Sequence, residues 1–290
     1  MTTTRSATRD PHQPERGRPR VIVGTHNALS ARLVEEAGFD GCWVGSLEIC
    51  ACRGIPDRNL IGSREMVDVA QQIRNATALP VFVDCDNGYG TDLAAARAAR
   101  ELSSCGVTGA CVEDNAFPKR NSLLQEIDRE LECVDSFCGR IQAMRDAAGH
   151  EFTIIARSEG LIARQPLDDV IYRTEQYAKA GADMVVIHDN QNDPARYLGI
   201  ARAWTHAVPL VAIPTACPDL TLSDLQGAGY SMVIYANHLL RAAARQMRLA
   251  AAQLRVSECP SDLADDIGTV GELLRLSGEW GWPAADQSAG

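Results

Sequence analysis

Two segments of this chain have the residue types and spacing of a reactive site: Asp84-Cys-Asp-Asn-Gly-Tyr-Gly90 and Glu113-Asp-Asn-Ala-Phe-Pro-Lys-Arg-Asn-Ser122. Each follows a short apolar run, Val81–Val83 and Ala110–Val112, so each sets its acids just past a strand end. Asp84, Asp86 and Glu113 then form a hard oxygen donor set of the kind Mg²⁺ prefers. One carboxylate is expected to bind the ion directly and the others to hold its waters, because Mg²⁺ gives up its hydration shell reluctantly. A single Asp after a strand reads more simply as a helix cap. Two acidic segments in this order are harder to explain that way. Phe117–Ser122 adds a cation and small polar donors on a loop. The combination suits a small anionic substrate that carries a phosphoryl group and a carboxylate.

Other candidates gather around this pair. Asp57, in Gly54-Ile-Pro-Asp-Arg58, is a fourth acid, or else a turn or cap residue. Arg157 directly follows Thr153–Ala156, where a forked guanidinium can clamp two phosphoryl oxygens; an ion pair with Glu159 is the competing reading. His188, after Val185–Ile187, is placed to donate to the same group, or is structural. Gly45-Ser46 can offer backbone N–H groups to a carboxylate or enolate oxygen, in the manner of an oxyanion hole. Trp43 is packing or pocket wall.

The elements that must position these residues repeat along the chain: apolar run, polar or glycine punctuation, amphipathic helix. Strands are expected at 20–23, 41–44, 81–83, 109–112, 152–156, 184–187, 210–213 and 232–235, with helices at 30–37, 92–102 and 168–180 among those between them. Runs this apolar belong to a parallel sheet buried on both faces. Eight of them alternating with helices predict an α/β fold of the (β/α)₈ type, a TIM-type barrel. No G-x-G-x-x-G follows the first strand, which disfavours a Rossmann fold. The barrel also predicts where chemistry falls, since such sites form at the C-terminal ends of the strands. Read in order, those positions hold Thr25-His26-Asn27, Trp43–Ser46, Asp84 and Asp86, Glu113-Asp114, Arg157 with Glu159, His188-Asp189, Pro214-Thr215 and Asn237-His238. Nearly every polar group that would be costly in a core lies on that rim. Two further helices, near 239–254 and 270–277, exceed what closing a barrel needs and could cover a neighbouring subunit. Residues 1–19 read as a disordered or loosely attached lead, and 20–290 as a single barrel domain with a C-terminal helical extension.

Composition excludes some partners. With 290 residues and 46% hydrophobic content, one barrel can use nearly the whole chain. A net charge of −10 without a basic stripe argues against nucleic acid. No apolar run approaches the ~20 residues of a membrane span, and no secretory leader is visible. Ten scattered cysteines, several inside apolar runs, fit a reducing cytoplasm better than disulfides or structural zinc. Nothing matches a P-loop, a nucleophile elbow, or a lysine placed after the sixth strand for Schiff-base chemistry.

From about Val21 to Leu276 these motifs resemble the isocitrate lyase/phosphoenolpyruvate mutase superfamily, and within it the phosphoenolpyruvate mutases. The resemblance is carried by Asn27–Ser30, Val83–Gly90, Gly106–Asp114, Phe117–Ser122, Ile155–Arg157, Ala180–Asp183, Ile213–Thr215 and Ala236–His238. The loop distinguishes the branches. The carbon–carbon lyases carry a catalytic cysteine in a Pro-Lys-Arg-Cys-Gly-His type loop; here it reads Pro118-Lys-Arg-Asn-Ser122, similar to the mutase pattern, while phosphonopyruvate hydrolases tend to have Thr where Asn121 stands. The resemblance implies an isomerase that interconverts phosphoenolpyruvate and 3-phosphonopyruvate, with Mg²⁺ as cofactor, in a cytoplasmic homotetramer built from helix-swapped dimers. It implies that Asp84, Asp86 and Glu113 serve the metal. Trp43, Gly45, Ser46, Leu47 and Asn237 would bind the substrate, and Asp57, Lys119, Asn121, Ser122, Arg157 and His188 would form the catalytic group. In that group Lys119 would help close the loop over the anion. Two positions depart from the mutase pattern. Glu113-Asp114-Asn115 stands where mutases have Glu-Asp-Lys, and Trp43-Val-Gly-Ser-Leu47 where they have Trp-x-Ser-Gly-Leu. Those departures leave open a mutase for a phosphoryl analogue such as an arsenical or a modified phosphonate. A phosphonopyruvate hydrolase, a carbon–carbon lyase and a non-catalytic barrel also remain open.

Overall fold

The computed structural model describes residues 17–124, 129–257 and 259–278; of the expected lead, residues 1–16 lie outside the described residues. Eight strands pair in parallel in sequence order: β1 (Arg20–Gly24), β2 (Gly41–Val44), β3 (Val81–Asp84), β4 (Gly109–Glu113), β5 (Thr153–Ser158), β6 (Met184–Ile187), β7 (Leu210–Ala212) and β8 (Met232–Tyr235). β1 closes on β8 with Arg20 opposite Met232 and Val23 opposite Tyr235, which makes the sheet a barrel. Helices α1 (Ala28–Glu36) to α8 (Leu222–Ala228) fall between the strands.

Closure explains why the strands are so apolar. Except for Tyr235, every strand residue is buried. Ile22, Trp43, Phe82, Cys111, Ile155, Val186, Val211 and Ile234, one from each strand, pack together as the interior. The opposite faces of β6 to β8 carry Val185, Ile187, Leu210 and Val233, which pack with Tyr197, Ile200 and Leu225 from the surrounding helices. Truncating a fully buried Phe82 to Ala would cost roughly 3–5 kcal/mol, through lost transfer energy and the cavity left behind. β1 approaches β8 most closely at Gly24, where a Cβ would lie 1.7 Å from the Ala236 carbonyl oxygen.

β1, β3 and β4 each end one residue beyond their apolar patterns, β5 two beyond, and β7 one short. β3 includes Asp84, opposite Cys111, and β4 includes Glu113, opposite Arg157. The ladder joins backbone groups, so a polar side chain at the barrel rim does not end it. The acids therefore sit on rigid strand ends. α1 starts at the Asn27 cap, whose side chain accepts from the Ser30 amide while the Ser30 hydroxyl accepts from the Asn27 amide. α2 (Ser46–Cys52) starts one residue past Gly45, so the Gly45-Ser46-Leu47 segment is a strand-to-helix turn with first-turn amides that lack intrahelical partners.

By contact density the chain divides into two compact units, 1–238 and 239–290. The second contains nearly all of α9 (His238–Val256) and α10 (Val270–Ser277), the two helices expected beyond the barrel. Within that unit Gln253 donates to the Asp262 carbonyl at 2.7 Å, and Leu263 is buried. All ten cysteines are free, and among the described residues no helix is long and apolar enough to cross a membrane.

Candidate active site

A cavity opens at the C-terminal rim of the barrel. Its wall brings together Trp43, Gly45, Ser46 and Leu47 from the β2–α2 turn, Asp84 from β3, Glu113 from β4 and Arg157 from β5. His188, Asn237, Asp57, and Lys119, Asn121 and Ser122 of the loop complete the set. Asp86 is the one residue foreseen for the site that does not line it.

The acids form one half. Ser46 donates its hydroxyl to Asp84 at 3.1 Å, tying the β2 turn to β3. Asp86 turns away under Lys119, whose ammonium pairs with it, with Asp57 at 3.0 Å and with the Ser46 hydroxyl at 2.8 Å. Lys119, expected to help close the loop over an anion, thus has its charge paired with these acids. Four carboxylates around one buried ammonium hold it charged, so although burial opposes ionisation its pKa stands well above the ordinary value. Burial raises Asp86 to about 6 and Glu113 to about 8, the latter against the opposing pull of Arg157. Glu113 also accepts from the Asn115 amide at 3.0 Å, so Asn115 gives Glu113 a neutral donor where the mutase pattern has a cation.

The other half is built around Arg157. Its Nη2 donates to the Ser122 hydroxyl at 2.6 Å and lies 2.7 Å from His188 Nδ1; its Nε donates to Glu159 at 2.6 Å and stands 3.5 Å from Glu113. Glu159 also meets His188 at 2.8 Å. Burial works against the Glu159 charge, but Arg157 and His188 outweigh it and hold the carboxyl below its usual range. Burial, with Arg157 beside it, pushes His188 down, towards the neutral ring. The Arg157–Glu159 pair and the cavity role of Arg157 therefore coexist: Glu159 fixes the guanidinium that faces the cavity. Ser122 is held in turn by Asn190, which donates to its carbonyl at 2.8 Å, and Asn121 donates to Asp57 at 2.6 Å.

Some neighbours escape sequence reasoning. Asp114, beside Glu113, accepts from the Ser158 hydroxyl, the Glu159 amide, Arg173 and the Tyr177 hydroxyl and so serves structure. Asn59 bridges the loop and the acids, accepting from the Lys119 amide at 2.6 Å and donating to Asp86 at 3.2 Å. Glu48 and Thr215 also line the cavity. A glutamate in an otherwise apolar helix turn, Leu47-Glu-Ile-Cys50, was the only sequence signal for Glu48.

The donor set can be tested against Mg²⁺. Among the described residues, no three acidic, His or Cys side chains converge closely enough to enclose an ion by themselves. An ion here would be held by one direct carboxylate, with the others reaching it through water. Asp84 and Glu113 on the wall are hard oxygen donors, the ligand chemistry such an ion takes. The residues fit.

A model of the family described as Phosphoenolpyruvate phosphomutase matches residues 12–255. The phosphoenolpyruvate phosphomutase of Tetrahymena pyriformis is 33% identical over 259 residues, 89% of this chain and 86% of its own. The crystal structure of a phosphoenolpyruvate phosphomutase from Streptomyces platensis subsp. rosaceus superposes with a TM-score of 0.89 at 37% identity, covering 91% of this chain and 92% of that one. A phosphonopyruvate hydrolase crystallised with oxalate and Mg²⁺ matches with a TM-score of 0.85 at 31% identity, over 91% and 92% of the two chains.

Proposed function

This chain belongs to the phosphoenolpyruvate phosphomutase family, and we propose that it is an isomerase of that family, interconverting phosphoenolpyruvate and 3-phosphonopyruvate in phosphonate biosynthesis. One observation carries the choice of reaction. Asn121 and Ser122, which stand where the lyases have their catalytic cysteine loop, line the same cavity as Arg157, His188 and the buried acids. Among the described residues no cysteine lines that cavity, so nothing there supports the lyase reading's acid.

Mg²⁺ held by Asp84, with Asp86 and Glu113 reaching it through water, would supply positive charge for the pyruvyl oxygens. The β2–α2 turn, through the amides of Gly45, Ser46 and Leu47, offers further donors to the same end of the substrate. Arg157 presents a fixed fork to the phosphoryl group, with Ser122 and His188 beside it. During turnover the bond from phosphorus to the enolate oxygen breaks and a bond from phosphorus to carbon 3 forms, so no proton is gained or lost. Charge spread over the loosely held phosphoryl group in between is what the Arg157 fork stabilises. Water would divert that group to phosphate, so Phe117–Ser122 must exclude it. Phe117 packs on the backbone of Gly90, where a Cβ would meet its ring at 3.0 Å, joining the loop to the segment after β3.

The test is ³¹P NMR of the protein with phosphonopyruvate and Mg²⁺. Appearance of phosphoenolpyruvate supports the mutase; phosphate with pyruvate makes it a hydrolase, and no change in either refutes both. We also propose a homotetramer of helix-exchanging dimers. α9 and α10 bury none of their described residues, and Met247, Leu249, Val270 and Leu273 are exposed. Light scattering that returns a monomer at micromolar concentration would refute that assembly.

A further inference from the structure

Glu48 is the cavity acid that the proposed chemistry leaves unused. It sits in the first turn of α2 with 1% of its surface exposed, yet neither carboxylate oxygen has a hydrogen-bond partner. The other acids of the cavity are satisfied: Asp57 by Lys119 and Asn121, Asp84 by Ser46, and Glu113 by Asn115. The imidazole of His26 comes to 3.9 Å from Oε1, beyond hydrogen-bond range, through an Nδ1 that itself lacks a hydrogen-bond partner. The other oxygen occupies space that two glycines leave open. A Cβ on Gly24 would come within 2.6 Å of Oε2, and one on Gly45 within 3.0 Å. The Gly45-Ser46 order noted in the sequence therefore has a steric consequence: a serine at 45 would crowd the carboxylate.

A buried carboxylate without a donor is costly to keep. A site shaped to hold one asks for a ligand that supplies the donor. We propose that Glu48 determines substrate specificity by accepting a hydrogen bond from an N–H or O–H group on the substrate, at the end of the cavity formed by the β2–α2 turn. This deepens the mutase reading and rests on it, because that reading places the pyruvyl-type acid at this end. Beside phosphonopyruvate, the site would then also accept a phosphoryl-bearing 2-oxo acid with an added hydroxyl or amine, or one with an amide in place of a carboxylate oxygen. Such a group would find its acceptor here, whereas plain phosphoenolpyruvate would leave Glu48 unpaired.

Oxalate and oxamate form the discriminating pair. They have the same shape, but oxamate replaces one oxygen with an NH₂ donor. Both would be titrated calorimetrically, with Mg²⁺ at pH 8.5, into the wild-type protein and into Glu48→Gln and Glu48→Ala. The ratio of the oxalate Kd to the oxamate Kd should be at least about tenfold larger in wild type than in either variant, the scale of pairing a buried polar group. The ratio is internal to each protein, so a general loss of stability does not shift it. A ratio that changes by less than about threefold overturns the inference, as does failure of both ligands to bind. Phosphonopyruvate turnover is scored on the same samples. Turnover with a Glu48-independent ratio keeps the mutase reading and removes this inference; a Glu48-dependent ratio without turnover does the reverse.

Discussion

Replacing Arg157 with Lys tests whether the guanidinium fork, rather than its charge alone, holds the transferring group. In the structure one side of the fork is spent on Glu159, and Nη2 reaches Ser122 and His188. A lysine ammonium is a single point. It can keep the Glu159 pair, which protects that buried carboxylate, but it cannot also reach Ser122 and a substrate oxygen. Each charge-assisted hydrogen bond contributes about 1.5–3 kcal/mol. Losing one to the substrate and one that places Ser122 removes about 3–6 kcal/mol of transition-state stabilisation. At about 1.4 kcal/mol per decade this is a fall of roughly 10² to 10⁴ in kcat/KM. Removing the charge altogether in Arg157→Ala should also destabilise the fold by roughly 3–5 kcal/mol, because Glu159 is left buried without its partner. The assay is ³¹P NMR turnover of phosphonopyruvate with thermal unfolding in parallel. Arg157→Lys should unfold close to wild type while losing most activity. Retention of activity within about threefold would refute the forked clamp, and equal losses of stability in both variants would show that Arg157 is purely structural.

Three further outcomes are expected. Asp84→Ala should abolish turnover and sharply weaken Mg²⁺ binding measured by calorimetry, with circular dichroism unchanged; near-normal Mg²⁺ affinity would remove Asp84 from the metal site. Asn121→Ala should slow isomerisation by about two orders of magnitude or more, on the scale of losing one placed donor, and divert product towards pyruvate and phosphate; an unchanged product ratio would mean that the loop does not exclude water through this residue. Glu48→Gln should flatten the pH dependence of stability. Burial raises Glu48 to about 7 in the folded protein, above the ~4.3 of an unfolded chain, so the native state holds its proton more tightly. Stability is then fullest below about pH 4.3 and is lost as pH rises through 7, by on the order of 3 kcal/mol. The Tm advantage of the Gln variant should therefore grow between pH 5 and 8, and a constant difference would contradict the shift.

The sequence alone determined the barrel and its rim. Eight apolar runs with helices between them allow few other folds, because parallel strands buried on both faces leave no room for alternating polar residues. Placing chemistry at strand ends then located Asp84, Glu113, Arg157 and His188, since a charged side chain inside the barrel would be too costly to keep. Tertiary structure decided which of these groups meet. Ser46 and Asp57 follow β2, Asp86 follows β3 and Lys119 follows β4, and nothing in their spacing says that one ammonium will join the other three. Asp114, adjacent to Glu113, points the other way to Tyr177 and Arg173, because successive residues at a strand end face opposite sides. Glu159 became the anchor for Arg157 and His188 only once β5 and β6 paired. Local periodicity encodes which face is buried, whereas pairing between side chains far apart in the chain depends on the register at which the barrel closes. Glu48 is the clearest case: its carboxylate lies against Gly24 of β1 and Gly45 after β2, a space that exists only because those two elements stand side by side.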